Sequence, residues 1–188
     1  MRSTAKAGGA HYLHALRHWS AMSDVRAAIE LSTGWWYTTG RHAIDPTGLN
    51  VERNVHRYRR PTKPTVVRID ATFQSDDLDY VRHIIRLTGV EVVFSCEQPT
   101  TLVPDAVVES SATLAGRGGA VARVRWLSGE PAPIADLLEY GVTLDRRPLA
   151  QRGDVETPRW LLEQSVSITL HRYGNTNGGP KPRCPGLE

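Results

Sequence analysis

The chain has 188 residues, 40% hydrophobic and 23% charged, with a formal charge of +3 and a pI near 9.1. That length suits one domain, or one domain with an extension, and is enough for a real hydrophobic core. No apolar run approaches the ~20 residues of a membrane-spanning helix, Arg2 and Lys6 are not followed by the apolar stretch of a secretory leader, and Cys96 and Cys184 form no CxxC pair. The expectation is therefore a protein of the reducing cytoplasm, without a disulfide framework or a zinc site. The mild basicity admits nucleic acid or an acidic partner and requires neither.

In chain order, residues 1–10 (MRSTAKAGGA) read as a glycine-rich loop. Tyr12, Leu13, Leu16 and Trp19 then recur near helical spacing, with His11, His14 and His18 at i, i+3 and i+7. Three histidines on one side of a helix can face a metal, but no acidic or cysteine ligand accompanies them, so a surface or interface role is preferred. Ser23–Tyr37 reads as an amphipathic helix capped by Ser23, with Val25, Ala28, Ile29, Trp35 and Trp36 on its apolar side. Neighbouring helix positions point about 100° apart, so Trp35 and Trp36 suit packing better than one flat stacking platform. Asp45-Pro46-Thr47-Gly48 is a turn. The basic run Arg53–Lys63 holds Arg57, Arg59 and Arg60 with His56 and Tyr58 interleaved, and Pro61 and Pro64 mark it as a solvated connector.

The remainder alternates between two periodicities. Thr65–Ile69 is a short β-rich run, and Asp76–Leu87 is a helix with Leu78, Val81, Ile84, Ile85 and Leu87 in one stripe. Ser75 is expected to cap this helix and Gly89 to end it. Val90–Ser95 is a continuous apolar strand, as expected where both sheet faces are covered. Val107–Ser110, Val121–Leu127 and Val142–Leu144 read as strands, Pro133–Tyr140 as a helix stopped at Gly141, and Glu156–Glu163 as a further helix. From Ser165 the period becomes two: Val166, Ile168 and Leu170 alternate with Ser165, Ser167 and Thr169, before His171, Arg172, Tyr173 and a Gly174-Asn175 turn. Thr176–Glu188, rich in Gly and Pro, is expected to be disordered and dispensable. The fold class that follows is α/β: a small parallel sheet with flanking helices, a helical N-terminal extension and a C-terminal tail strand.

No catalytic constellation emerges. Leu114–Ala120 (LAGRGGA) has Val121 where a dinucleotide fingerprint needs its third glycine, and it precedes a strand where the fingerprint follows one. Cys96 ends an apolar strand beside Glu97, whose charge would raise the thiol's pKa, so a structural thiol is expected. His171 has no assignable Ser or Asp partner. Catalytic, cofactor-binding and metal residues are accordingly left unassigned.

Four patches carry a resemblance. Leu161–Asn175 (LLEQSVSITLHRYGN) resembles the extreme C-terminus of actinobacterial bifunctional proline dehydrogenase/L-glutamate γ-semialdehyde dehydrogenases, the proline utilization A family. Lys6–Leu13 (KAGGAHYL) is similar to the segment that ends the catalytic domain of glutamate semialdehyde dehydrogenases, with Ala10 in place of a proline. Asp45–Tyr58 resembles the family's connector, and Arg123–Pro131 (RVRWLSGEP) its C-terminal domain, whose fold is Rossmann-like. The patches occur in family order. The resemblance implies an end of a catalytic domain plus linker over 1–60, a Rossmann-like non-catalytic domain over 61–164 and a tail over 165–188. It also implies that FAD and NAD belong to the full-length enzyme and not to this chain. The catalytic aldehyde dehydrogenase and proline dehydrogenase domains, in cis or as a split partner, would be its partners. The tail residues Val166, Ile168, Leu170, His171, Arg172 and Tyr173 would then form a lid over the cavity through which the intermediate passes. The alternatives are a small nucleic-acid-binding protein using Arg53–Lys63 and the tryptophans, which the proline-marked connector disfavours, and an independent interaction module.

Overall fold

The computed structural model describes residues 22–49, 52–129, 132 and 134–169. The segment around Tyr12–Trp19 with its histidines, the Lys6–Leu13 motif, and everything from Leu170 onward lie outside them. Five strands form one parallel sheet: β2 (Thr65–Ile69), β3 (Val92–Cys96), β4 (Val107–Val108), β5 (Arg123–Trp126) and β6 (Thr143–Asp145). Their spatial order is β4-β3-β2-β5-β6. The chain starts in the middle of the sheet, steps outward to β4, returns to the middle at β5 and steps outward again. That is the doubly wound arrangement, with its reversal of direction between β2 and β5.

Strand periodicity sorts the core into two layers. Val67 and Ile69 of β2 face a cluster that includes Leu78, Val81 and Ile84 of α2 (Ser75–Thr88), Val25 and Ala28 of α1 (Met22–Trp35), and Trp160. Val66, Val124 and Trp126 face the opposite cluster, with Leu114 and Ala115 of α3 (Ser111–Gly116) and Leu137 of α4 (Ile134–Glu139). All five β2 side chains are buried, as a central strand covered on both faces requires. The α/β class expected from the pattern is the one the chain adopts.

Local signals are mostly realised at their expected places, with shifts that have identifiable causes. α2 is capped by Gln74 and not by Ser75: the Gln74 side chain and the Asp77 carboxylate form a reciprocal capping box, which places Ser75 inside the first turn. Gly89 ends α2 at φ +67°, the left-handed conformation that favours glycine. The first half of the glycine run is helical, because Ser110 accepts the Thr113 N–H at 3.1 Å and so starts α3. The expected helix Glu156–Glu163 is instead a short turn, α5 (Gly153–Glu156), followed by a 3-10 turn over Thr157–Trp160. Leu161 then takes an extended backbone and the next strand begins at Leu162.

The largest departure is the connector. Asp45 does build the expected turn, accepting from the Thr47 and Gly48 N–H groups. Beyond it, Glu52–Arg59 is not a solvated link but a strand, β1, paired antiparallel with β7 (Leu162–Thr169) in a separate two-stranded ribbon. Val55 faces Val166, Arg53 faces Ile168 and Arg57 faces Gln164. On the other face, Ser167 donates to the Asn54 side chain and His56 lies 2.9 Å from Glu163. Trp35, at the end of α1, meets Tyr58 of the ribbon edge-on, with 5.0 Å between ring centroids. The tryptophan pair is thus used for packing, as its spacing on the helix implies.

Candidate functional site

In a doubly wound sheet the ligand crevice opens at the carboxyl ends of the strands beside the reversal, here β2 and β5. β2 is followed by Asp70-Ala71-Thr72-Phe73-Gln74, a loop without glycine. The Asp70 carboxylate reaches across to the segment after β5, accepting from the Gly129 N–H at 2.6 Å and the Ser128 hydroxyl at 3.2 Å, and it accepts the Thr72 N–H at 2.8 Å. Burial by itself would raise the Asp70 pKa, but these donors outweigh it and hold the carboxyl below its ordinary range. A cleft of about 490 Å³ beside it is lined by Asp70, Glu97, Gln98, Thr100 and Thr101. Asp76 and Asp77 occupy the first turn of α2. Dinucleotide folds bring phosphate to a helix N-terminus through glycine backbone. At the corresponding place this chain carries three carboxylates, Asp70, Asp76 and Asp77.

The glycine run lies at the other end of the sheet, before β5, where Lys63 donates to the Gly119 carbonyl. Gly118 is there for packing: a Cβ would come within 2.5 Å of Cβ of Tyr140. Cys96 is buried at the end of β3, its Sγ 3.9 Å from the Val107 carbonyl oxygen. Of the residues expected to form the lid, Val166 and Ile168 fall on the half-buried face of β7. Leu170, His171, Arg172 and Tyr173 are outside the described residues.

Sequence reasoning missed two fully buried arginines in adjacent central strands. Arg68 of β2 points into the α3/α4 side, donating to the Glu109 carbonyl at 2.7 Å and the Ser95 hydroxyl at 3.0 Å, and reaching Glu97 at 3.2 Å. Arg125 of β5 points to the opposite side. It is held by Asp145 at 2.8 Å and by the fully buried Glu156 at 2.5 Å. Glu156 also accepts from Trp160 Nε1, from Arg159 and from the Ala150 N–H. One signal was available: an arginine inside each of the short apolar runs TVVRI and RVRW has to find carboxylates or carbonyls once both faces are covered. The carboxylate partners of Arg125 lie 20 and 31 positions away in sequence, so spacing alone does not give them.

The cluster has a measurable pH signature. Burial opposes ionisation of Asp145, but hydrogen bonding and charge from Arg147, together with the charge of Arg125, bring its pKa down to about 2. A carboxyl whose pKa is depressed on folding stabilises the protein above the unfolded value and loses that contribution as pH falls through the folded value. Stability should therefore drop between about pH 4 and pH 2, by about 2 kcal/mol from this residue. Urea midpoints across that window should fall in the wild type and fall less in Asp145→Asn, which has already lost the contribution.

No family model and no curated protein matches the chain. Among solved structures, Proline Utilization A (PutA) from Corynebacterium freiburgense has a similar fold, with a TM-score of 0.55 and 22% identity. The match covers 93% of this chain and 16% of that one, so the chain spans a small fraction of that protein's length.

Proposed function

We propose that this chain is a non-catalytic C-terminal segment of a proline-catabolic oxidoreductase, similar to bifunctional proline dehydrogenase/L-glutamate γ-semialdehyde dehydrogenase. In this reading it assembles with the catalytic domains, which carry the FAD and NAD, and its tail covers the cavity through which the intermediate passes. One observation carries the reading: the fold likeness to a proline utilization A protein runs through 93% of the chain; separately, the family-like patches occur in family order in the sequence. The acidic crevice supports a role without a dinucleotide. The ribbon supports a docking role for the tail. Among the described residues β7 pairs only with β1, so no described strand lies on its other edge. Two-stranded ribbons are marginal by themselves, and open edges attract partners.

The test is kinetic. Added to a catalytic half that carries the proline dehydrogenase and aldehyde dehydrogenase domains, the full chain should shorten the lag in the coupled conversion of proline to glutamate. A chain ending at Gln164 keeps Trp160 and Leu161 in the core, so its parallel sheet should remain folded while the lag stays long. It exposes Val55, a loss of roughly 1–2 kcal/mol. If the full chain leaves the lag unchanged, the assembly reading fails. If truncation unfolds the sheet by circular dichroism, β7 is a core element and the lid is wrong.

A further inference from the structure

The chain passes from the ribbon to the parallel sheet through the turn Arg60–Pro64, which joins β1 to β2. Pro61 and Pro64 have no N–H to give a ladder, so the turn stays irregular. Lys63 fixes its far side by donating to the Gly119 carbonyl at 2.8 Å. Thr62 is exposed at its centre, and Arg59 and Arg60, just before Pro61, are exposed as well. Among the described residues, no hydrogen-bond or ion-pair partner meets the Thr62 hydroxyl or either of these two guanidinium groups. Arg60 rests instead against Gly89 at the end of α2, where an added Cβ would come within 2.8 Å of its Cζ. The negative end of the helix dipole attracts a cation there without satisfying its N–H groups. No carboxylate occurs in sequence between Glu52 and Asp70, so nothing local offsets the two arginines. A basic pair placed shortly before an exposed hydroxyl is the kind of charge pattern by which protein kinases select substrates.

We propose that Thr62 is a phosphorylation site, modified by a serine/threonine kinase that reads Arg59 and Arg60 ahead of its target. In the transfer, Thr62 Oγ bonds to the terminal phosphorus of ATP and the bond from that phosphorus to the bridging oxygen breaks. ADP leaves, and the hydroxyl proton passes to a base on the kinase. The product carries about −1.5 to −2 charges at neutral pH. It lies in the same turn as two guanidinium forks that are not spent elsewhere, so it forms charge-assisted pairs with them. Arg59 stands opposite Leu162 of β7 in the ribbon register, so the phosphate orders the root of the ribbon. This inference stands independently of the assembly reading.

The test incubates the full chain with MgATP and the catalytic subunit of cyclic-AMP-dependent protein kinase, a probe that prefers basic residues before its target. Intact mass and peptide mapping should find one phosphoryl group on Thr62 and none at that position in Thr62→Ala. Arg59→Gln/Arg60→Gln should slow the initial rate at Thr62 at least about tenfold. Arg82→Gln/Arg86→Gln, which removes the same charge from the exposed side of α2, should be modified like the wild type. Absence of phosphate on Thr62 overturns the proposal. So does equal slowing in the two double variants, which would mean only a general response to net charge.

Discussion

Glu156→Ala should cost about 3–5 kcal/mol, the range for removing one partner of a buried ion pair. The reason is what it leaves behind. Arg125 is fully buried in a central strand and cannot reach water, so its charge would rest on Asp145 alone, which Arg147 already shares. Trp160 Nε1 and the Ala150 N–H would lose their acceptor as well. A domain with a total stability of 5–15 kcal/mol loses a large part of it in that single change. Urea unfolding should show a much lower midpoint. Arg125→Met/Glu156→Leu should be less damaging than Glu156→Ala, since it removes both charges and fills their volume. A loss below about 1 kcal/mol for Glu156→Ala would mean that water reaches the cluster.

The second large effect is steric. Gly153 opens α5 directly against α1, and a Cβ there would overlap the Ala28 carbonyl oxygen and the backbone nitrogen and hydroxyl of Ser32. Both neighbours are fully buried, so neither helix can yield without opening the core. Gly153→Ala is expected to destabilise by about 3 kcal/mol, at the upper end for overpacking. In a chain of this length that corresponds to a melting temperature lower by roughly 6–12 °C. Gly116→Ala is the matched control. A Cβ at Gly116 meets nothing within 4 Å, so thermal unfolding should be unchanged or slightly later. Equal effects at the two glycines would show that α1 does not pack on α5 as described.

These two expectations rest on contacts that the sequence does not display, and the contrast with what it does display has a physical basis. The stripe Leu78, Val81, Ile84 and the stop at Gly89 are consequences of helix geometry within one segment. The apolar runs of β2 and β3 are likewise consequences of strand geometry, so their alternation with helices was enough for the parallel α/β class. The absence of a glycine fingerprint was also legible, because that motif is local. The polar strand Glu52–Arg59 was not. Its residues carry little β signal, and it becomes a strand because β7 pairs with it, about 107 positions away. The same pairing draws Leu162 and Glu163 out of the expected helix. Where Arg68 and Arg125 find their partners was decided only when the sheet closed, since burial on both faces obliges each charge to meet whatever donors and acceptors the fold brings. The acidic crevice arises in the same way. Local periodicity determined which segments became helices and strands of the sheet; long-range pairing and the desolvation of charge decided the ribbon, the buried ion cluster and the acidic crevice.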